Sequence, residues 1–216
     1  MSGPILYVTG TNTGVGKTSL AMALLLRAKE RGIRVGAMKP FCSGGREDAE
    51  RLHALQTADL SLDEVNPFHF DARVTPLVAA RKCGRMVTLQ QAVNAVRAFE
   101  RPGIPLLIEG AGGLLSPLGE GFSLLEIMRE IPGRVCLVAM NTLGVINQTL
   151  LTLRQLPTAE AIVVLINPAQ PDESVETNGT IIRELQATAA VVETPWLDEN
   201  KSAATMADQV LSLWIR

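Results

Sequence analysis

Histidine and cysteine are scarce in this chain: among 216 residues there are two histidines and three cysteines. His53 and His69 read as helix-face and loop residues without ligand spacing, which argues against a zinc site. Cys42, Cys83 and Cys136 lie far apart and form no C-x-x-C pair. That pattern fits reduced thiols in a cytoplasmic protein rather than a disulfide framework. No apolar run approaches the length of a membrane span. A signal peptide is not expected, because a glycine-rich stretch begins too soon after Met1. Lysine and arginine form no stripe interleaved with aromatics, and the formal net charge is only -2, so nucleic acid is not an expected partner. Internal repeats, low-complexity segments and interdomain linkers are also missing.

What is present is apolar and patterned. The chain is 47% hydrophobic and 19% charged, enough to bury a large core and too little charge for disorder. Its length suits a single α/β domain spanning residues 1–216. Ile5 to Val8 reads as a strand buried on both faces, followed by a helix from Thr18 to about Arg31, with Gly32 at its C′ position. Arg34 to Met38 reads as a second strand, ended by Pro40, and Phe41 to Gly45 as a flexible loop. Helical spacing runs from Glu47 to about Gln56. The stretch from Asn66 to Pro76 reads as loop with a short edge strand. Thr88 and Gln91 form a capping box for a helix reaching about Glu100.

Further strands are expected at Leu106–Ile108, Val135–Ala139, Ala161–Ile166 and Val191–Val192. Helices are expected at Leu124–Glu130, from the turn Asn141–Gly144 to about Leu156, at Thr180–Ala187 and at Ala203–Arg216. Alternating strands and helices predict a mostly parallel sheet with helices on both faces.

Between the first strand and helix lies Thr9-Gly10-Thr11-Asn12-Thr13-Gly14-Val15-Gly16-Lys17-Thr18. Strand, glycine-rich loop and helix in that order are the context of a phosphate-binding P-loop. Loop N–H groups and the helix dipole face an anion, Lys17 supplies a cation for the outer phosphates, and Thr18 supplies a hydroxyl for Mg²⁺. The first glycine falls at Gly10, one residue earlier than the usual spacing. A dinucleotide fingerprint fits less well, since Gly14-x-Gly16-x-x-Ser19 lacks its third glycine.

In open parallel sheets, ligands bind beyond the carboxyl ends of the strands. The polar residues expected there are Thr9, Lys39, Glu109, Asn141, Asn167 and Glu193. Glu109 follows three aliphatic residues and precedes Gly110-Ala111-Gly112-Gly113, the layout of a metal-binding carboxylate. Asp48 is a second candidate ligand, although a first-turn acid is also favoured by the helix dipole. Lys39, expected on a strand beside the phosphate strand, is placed to neutralise charge at a reacting anion, or is a surface lysine. Ser43 could bind substrate or shape a turn. Cys42 has no histidine nearby in sequence and is not expected to be a nucleophile.

At this point the sequence resembles the dethiobiotin synthetase family. The loop Thr9–Thr18, Lys39-Pro40-x-x-Ser43-Gly44, Glu109–Gly113, Leu143-Gly144-Val145-Ile146-Asn147 and Pro195-Trp196-Leu197 follow the family's order over nearly the whole chain. The resemblance implies a P-loop NTPase-type fold and an ATP- and Mg²⁺-dependent ligase of biotin biosynthesis. 7,8-Diaminononanoate and CO₂ give a carbamate, which is phosphorylated by ATP and closed to the ureido ring. By resemblance, Lys39, Lys17 and Thr13 are catalytic, and Thr18, Asp48 and Glu109 hold Mg²⁺. Nucleotide contacts fall to Asn12, Thr13, Gly14, Val15, Gly16, Lys17, Thr18, Asp48, Glu109, Gly110, Ala111 and Gly112. The base is assigned to Asn167, Pro168, Pro195, Trp196 and Leu197. Ser43, Leu143, Gly144 and Asn147 are implied for substrate, the turn at 143–147 serving a neighbouring subunit of a homodimer.

Four positions depart from the family pattern. Gly14 stands where Glu is frequent, and Leu77-Val78 and Gln148 stand where His is common. Pro168 replaces a common Asp, which bears on base selectivity. Competing classes are a P-loop partitioning or assembly ATPase, for which no additional lysine occurs between Thr11 and Val15, and a non-catalytic nucleotide-binding relative. A related amidoligase of corrin biosynthesis usually carries a glutaminase domain for which this length leaves no room.

Overall fold

A computed structural model describes residues 3–157, 160–195 and 201–215. The first half contains β1 (Ile5–Gly10), α1 (Lys17–Glu30), β2 (Gly36–Met38), β3 (Phe41–Ser43), α2 (Glu47–Leu55), α3 (Leu62–Val65), β4 (Phe68–Phe70), α4 (Pro76–Lys82) and α5 (Leu89–Phe99). The second contains β5 (Leu106–Glu109), α6 (Leu124–Glu130), β6 (Arg134–Met140), α7 (Val145–Leu153), β7 (Ala161–Ile166), α8 (Val175–Leu185), β8 (Ala190–Thr194) and α9 (Lys201–Trp214).

Six strands form one parallel sheet in the order β2-β5-β1-β6-β7-β8. The strands are short aliphatic runs because both faces are covered. Alternate residues serve opposite cores. Leu6 and Val8 of β1 pack with α1 and α9, while Ile5 and Tyr7 pack with the cluster that holds α5 and α6. On β7, Ile162 and Val164 face the α1–α9 side, and Val163 and Leu165 face α7 and α8. Tyr7 is fully buried and its hydroxyl donates to the Ile131 carbonyl at 2.7 Å.

Helix ends follow their sequence signals. Beyond α1, Ile33 N–H donates to Ala28 C=O and Gly32 N–H to Lys29 C=O, a Schellman closure with Gly32 at φ 67°. Thr88 and Gln91 form the expected capping box on α5. Ser61–Glu64 and Ser123–Glu126 form two more.

Several boundaries differ from expectation. The strand expected from Arg34 begins at Gly36, with Val35 N–H turned to Thr57 Oγ1. The segment expected as a flexible loop holds β3, which pairs in parallel with β4 in a separate two-stranded sheet. β4 is therefore not an edge of the main sheet, and His69 lies on it rather than in a loop. Phe41 stacks on Phe68 at 4.8 Å and meets Phe122 edge-on, so apolar burial supports a sheet too short to be read from its flanking glycines. α4 starts with Pro76 at its first turn, where a missing N–H costs nothing. α7 ends at Leu153, before Leu156, and α8 begins at Val175, before Thr180.

Candidate active site

Lys39 does not sit beside β1. β5 lies between β2 and β1, so the strand carrying Glu109 is flanked by the Lys39 strand on one side and the P-loop strand on the other. This order brings Lys39, Glu109 and the start of α1 together.

Thr18 Oγ1 donates to Glu109 Oε1 at 2.7 Å, and the Lys39 ammonium donates to the same oxygen. Lys39 Nζ also lies 3.1 Å from Asp48 Oδ2. Glu109 is 0% exposed, and its buried Oε2 has no hydrogen-bond partner among the described residues. Burial works to lower the Lys39 pKa, but the Glu109 and Asp48 carboxylates outweigh it and hold it above the ordinary value. Burial works to raise Asp48, but Lys39 and the Thr18 hydroxyl hold it below the ordinary range. Lys17 is pulled down to about 8, chiefly by burial, with Lys39 adding to the effect and Glu109 opposing it.

The loop is shaped for this cluster. Gly16 caps α1 at φ 97° and lies against Ile166, whose Cδ1 would be 2.5 Å from an added Cβ. A Cβ on Gly10 would sit 2.7 Å from Val15 Cγ2 and 3.1 Å from the Asn12 carbonyl oxygen, which gives the displaced first glycine a reason. Lys17 Nζ donates to the Asn12 carbonyl at 2.8 Å. Behind Lys39, the buried Asn66 donates from Nδ2 to the Lys39 carbonyl at 2.7 Å, and Lys39 N–H donates to Val65 C=O.

Lys17, Thr18, Lys39, Asp48 and Glu109 line a cleft of about 820 Å³. Of the expected site residues, Thr13, Gly14, Gly16, Lys17, Thr18, Lys39, Ser43, Asp48, Glu109, Ala111 and Gly112 all line it. Asn12 instead borders a smaller hollow with Thr11, Leu115 and Leu151. Cys42 lines the cleft, but burial pushes its thiol up to about 11, so it is a poor nucleophile at neutral pH. Arg51 and Arg73 also line it and were not expected. Arg51 stands three residues after Asp48 on α2, a spacing that sequence could have offered. Arg73 comes from the loop after β4 and packs over Gly44, which no sequence pattern announces.

Asn167 and Asn141 lie at the ends of β7 and β6, beyond the phosphate loop. Asn141 Nδ2 donates to Asn167 Oδ1 at 2.9 Å. Glu193 does not join them: it pairs with Arg183 of α8 at 2.8 Å, and Thr194 ends β8 instead. Gly144 caps α7 in a left-handed conformation, Leu143 is 84% exposed, and Leu143 N–H donates to Asp172 Oδ2 at 3.0 Å. Pro168 and Pro195 lie outside the cleft lining. Trp196 and Leu197 lie outside the described residues.

A parallel doubly wound sheet with a lysine-bearing glycine loop, a threonine and two carboxylates at its carboxyl edge defines a P-loop nucleotide-binding protein. A family model described as an AAA domain matches residues 5–203. ATP-dependent dethiobiotin synthetase BioD of Anaeromyxobacter dehalogenans (strain 2CP-C) is 35% identical over 220 residues, covering 98% of each chain. The protein of that name from Bacillus subtilis (strain 168) is 32% identical over 88% of this chain and 87% of its own. The chain belongs to the ATP-dependent dethiobiotin synthetase family. In fold it is similar to the hydrogenase maturation factor HypB of Archaeoglobus fulgidus, with TM-score 0.56 and 16% identity over 98% of this chain and 90% of the other.

Proposed function

We propose that this chain carries out the ATP-dependent closure of 7,8-diaminononanoate and CO₂ to dethiobiotin, in the cytoplasm and as a homodimer. One observation carries the reading: Lys39 and Lys17 sit with Thr18, Asp48 and Glu109 in a single cleft, with Lys39 bonded to both carboxylates. A carbamate and a triphosphate repel each other, and this arrangement supplies cations between them.

The carbamate formed on one amine attacks the γ-phosphorus, ADP leaves, and the second amine then attacks the carbamate carbon and expels phosphate. Lys17 steadies the outer phosphates. Lys39 faces the charge that changes as the carbamate oxygen attacks. Thr13 lies at the cleft wall beside them, and Ser43 contacts the diamine or its carbamate. No nucleophilic side chain is required, because phosphoryl transfer depends mainly on positioning and electrostatics. Gly14, Gly16, Ala111 and Gly112 line the cleft and surround the phosphates; Asn12, which borders the neighbouring hollow, and Val15 and Gly110 are assigned to the nucleotide with them, and Asn167, Pro168 and the Pro195–Leu197 segment to the base.

The donor set suits Mg²⁺: Thr18, Asp48 and Glu109 are hard oxygen ligands, and Glu109 Oε2 is a buried oxygen with no partner among the described residues. Bound there, Mg²⁺ would neutralise phosphate charge. The turn Leu143–Gly144 and the first turn of α7 with Asn147 are assigned to the substrate carboxylate of the adjoining subunit: the N-cap Gly144 supplies no side-chain cap, while Leu143 N–H is held by Asp172 Oδ2.

The test is phosphate release measured with and without diamine and bicarbonate. Release that depends on both and matches a cyclic urea product supports the reading. Hydrolysis indifferent to the diamine would point to an ATPase switch instead.

A further inference from the structure

Lys39 stands just past the end of its strand. The β2–β5 register runs to Met38 opposite Ile108 and stops before Lys39. The backbone there is held instead by the segment that leads from α3 into β4. Lys39 N–H donates to Val65 C=O at 2.9 Å, Asn66 Nδ2 donates to Lys39 C=O at 2.7 Å, and Phe68 N–H donates to Pro40 C=O at 3.0 Å. Proline has no N–H, so residues 65–68 satisfy every backbone polar group of Lys39 and Pro40.

Only one of those three contacts is made by a side chain, that of Asn66, and Asn66 is 0% exposed. Its amide has a single orientation. The Lys39 carbonyl only accepts, so nitrogen faces it. The Arg46 guanidinium only donates, and its Nε reaches Asn66 Oδ1 at 3.2 Å. Arg46 is itself seated on the same segment: its Nη2 faces Leu62 C=O at 3.1 Å, Asp63 Oδ1 at 2.9 Å and Asn66 C=O at 3.3 Å. Turning the amide over would set oxygen against oxygen in a buried position.

The Lys39 ammonium is carried by this backbone into the gap beside Glu109 Oε1 and Asp48 Oδ2. A shift of the Lys39 peptide therefore moves the ammonium against the reacting groups, and a misplacement of about 1 Å can cost roughly 10²-fold in rate.

We propose that Asn66 is a positioning residue for the reaction: held by Arg46 at one end of its amide, it grips the Lys39 carbonyl with the other and fixes where the ammonium stands. Asn66 touches neither nucleotide nor diamine and acts through Lys39. The proposal rests on the role given to Lys39 above.

The test is a double-mutant cycle on the full chain, assayed with ATP, Mg²⁺, diamine and bicarbonate. Asn66→Ala should lower kcat about 10- to 100-fold and leave the KM for ATP within about threefold. In a Lys39→Ala background the same change should alter kcat less than about twofold, because the group it positions is gone. Asn66→Asp keeps the shape and the bond to Arg46 but offers Lys39 no donor, so it should behave like Asn66→Ala. Should Asn66→Ala not fold, Arg46→Lys completes the cycle in its place, with kcat lowered about fivefold, the scale of one hydrogen bond, and no further loss beside Lys39→Ala.

Equal losses of kcat with and without Lys39 reduce Asn66 to packing and overturn the proposal. So does a folded Asn66→Ala chain with unaltered kcat, or one whose defect lies only in the KM for ATP. Lys39→Ala with undiminished kcat defeats the role of the lysine and this proposal with it. Failure of the unmodified chain to form a cyclic urea would instead defeat the proposed function.

Discussion

The Thr18 hydroxyl donates to Glu109 Oε1 across 2.7 Å, tying the first turn of α1 to the carboxyl end of β5. The same oxygen accepts from Lys39. Glu109 is thus the point where three separate stretches of chain converge, and most of the expected behaviour of the site follows from it.

Lys39→Ala should lower kcat roughly 10²–10³-fold while weakening ATP binding much less, because Lys39 faces charge that changes in the transition state. Lys39→Arg should not fully rescue, since a planar fork cannot replace a compact ammonium. The structure adds a stability cost. Removing Lys39 leaves Glu109 buried without its cation, a change on the order of 3–5 kcal/mol. Urea unfolding of Lys39→Ala, and of the same variant with Glu109→Gln, checks this: the second change should recover part of the loss. An effect confined to the KM for ATP would make Lys39 a binding residue only.

Glu109→Gln should raise the Mg²⁺ concentration needed for half-maximal phosphate release by at least about tenfold, the scale seen even for indirect partners of a metal. Titrating activity against Mg²⁺ at saturating ATP measures it. An unchanged requirement would remove Glu109 from the metal site.

Cys42 and Cys136 are buried and Cys83 is exposed. Burial pushes the Cys42 thiol up to about 11 and raises Cys136 as well. Iodoacetamide on the native chain should therefore modify Cys83 first and leave activity largely intact. Inactivation in step with labelling of Cys42, located by peptide mass mapping, would contradict the non-nucleophilic assignment.

Gly32→Ala should cost about 1 kcal/mol of stability, since φ 67° disfavours a side chain. A Cβ there meets nothing within 4 Å, so strain is the whole effect. Thermal unfolding should shift while kcat stays unchanged. A stability equal to that of the unmodified chain would remove Gly32 as the reason α1 stops where it does.

Leu143, Leu151 and Leu115 are large apolar side chains exposed at 84%, 54% and 58%. Leu151 and Leu115 line the same hollow, at the C-terminal end of α7. Leu151→Glu should shift sedimentation toward monomer and lower activity, if the adjoining subunit completes the substrate site. A fully active monomer in the ultracentrifuge would exclude a shared site.

The phosphate loop, the aliphatic strands, the Thr88–Gln91 cap and Gly32 were legible in the sequence because each depends on residues close together in the chain. Residue spacing sets a 3.6- or 2-residue period, and a glycine or a cap acts within one turn. Thr18, Asp48 and Glu109 could be named as one set because such residues stand at element ends.

What sequence could not decide was strand order. Nothing local says that β5 inserts between β1 and β2, yet that order puts Glu109 beside Lys39 and determines the ion pair. The β3–β4 sheet was likewise hidden: three-residue strands carry no period, and Phe41, Phe68 and Phe122 hold them by contacts between distant segments. The contacts of Asn141 and Asn178 are the same kind of fact. Both are ordinary polar residues in the sequence, and only burial beside the Val175 and Thr142 carbonyls orients their amides, so that Asn178 donates to Asn141 and Asn141 to Asn167. Local chemistry thus determined which elements form and which residues are reactive, while long-range parallel pairing, which the chain cannot encode within any one window, decided which of them meet.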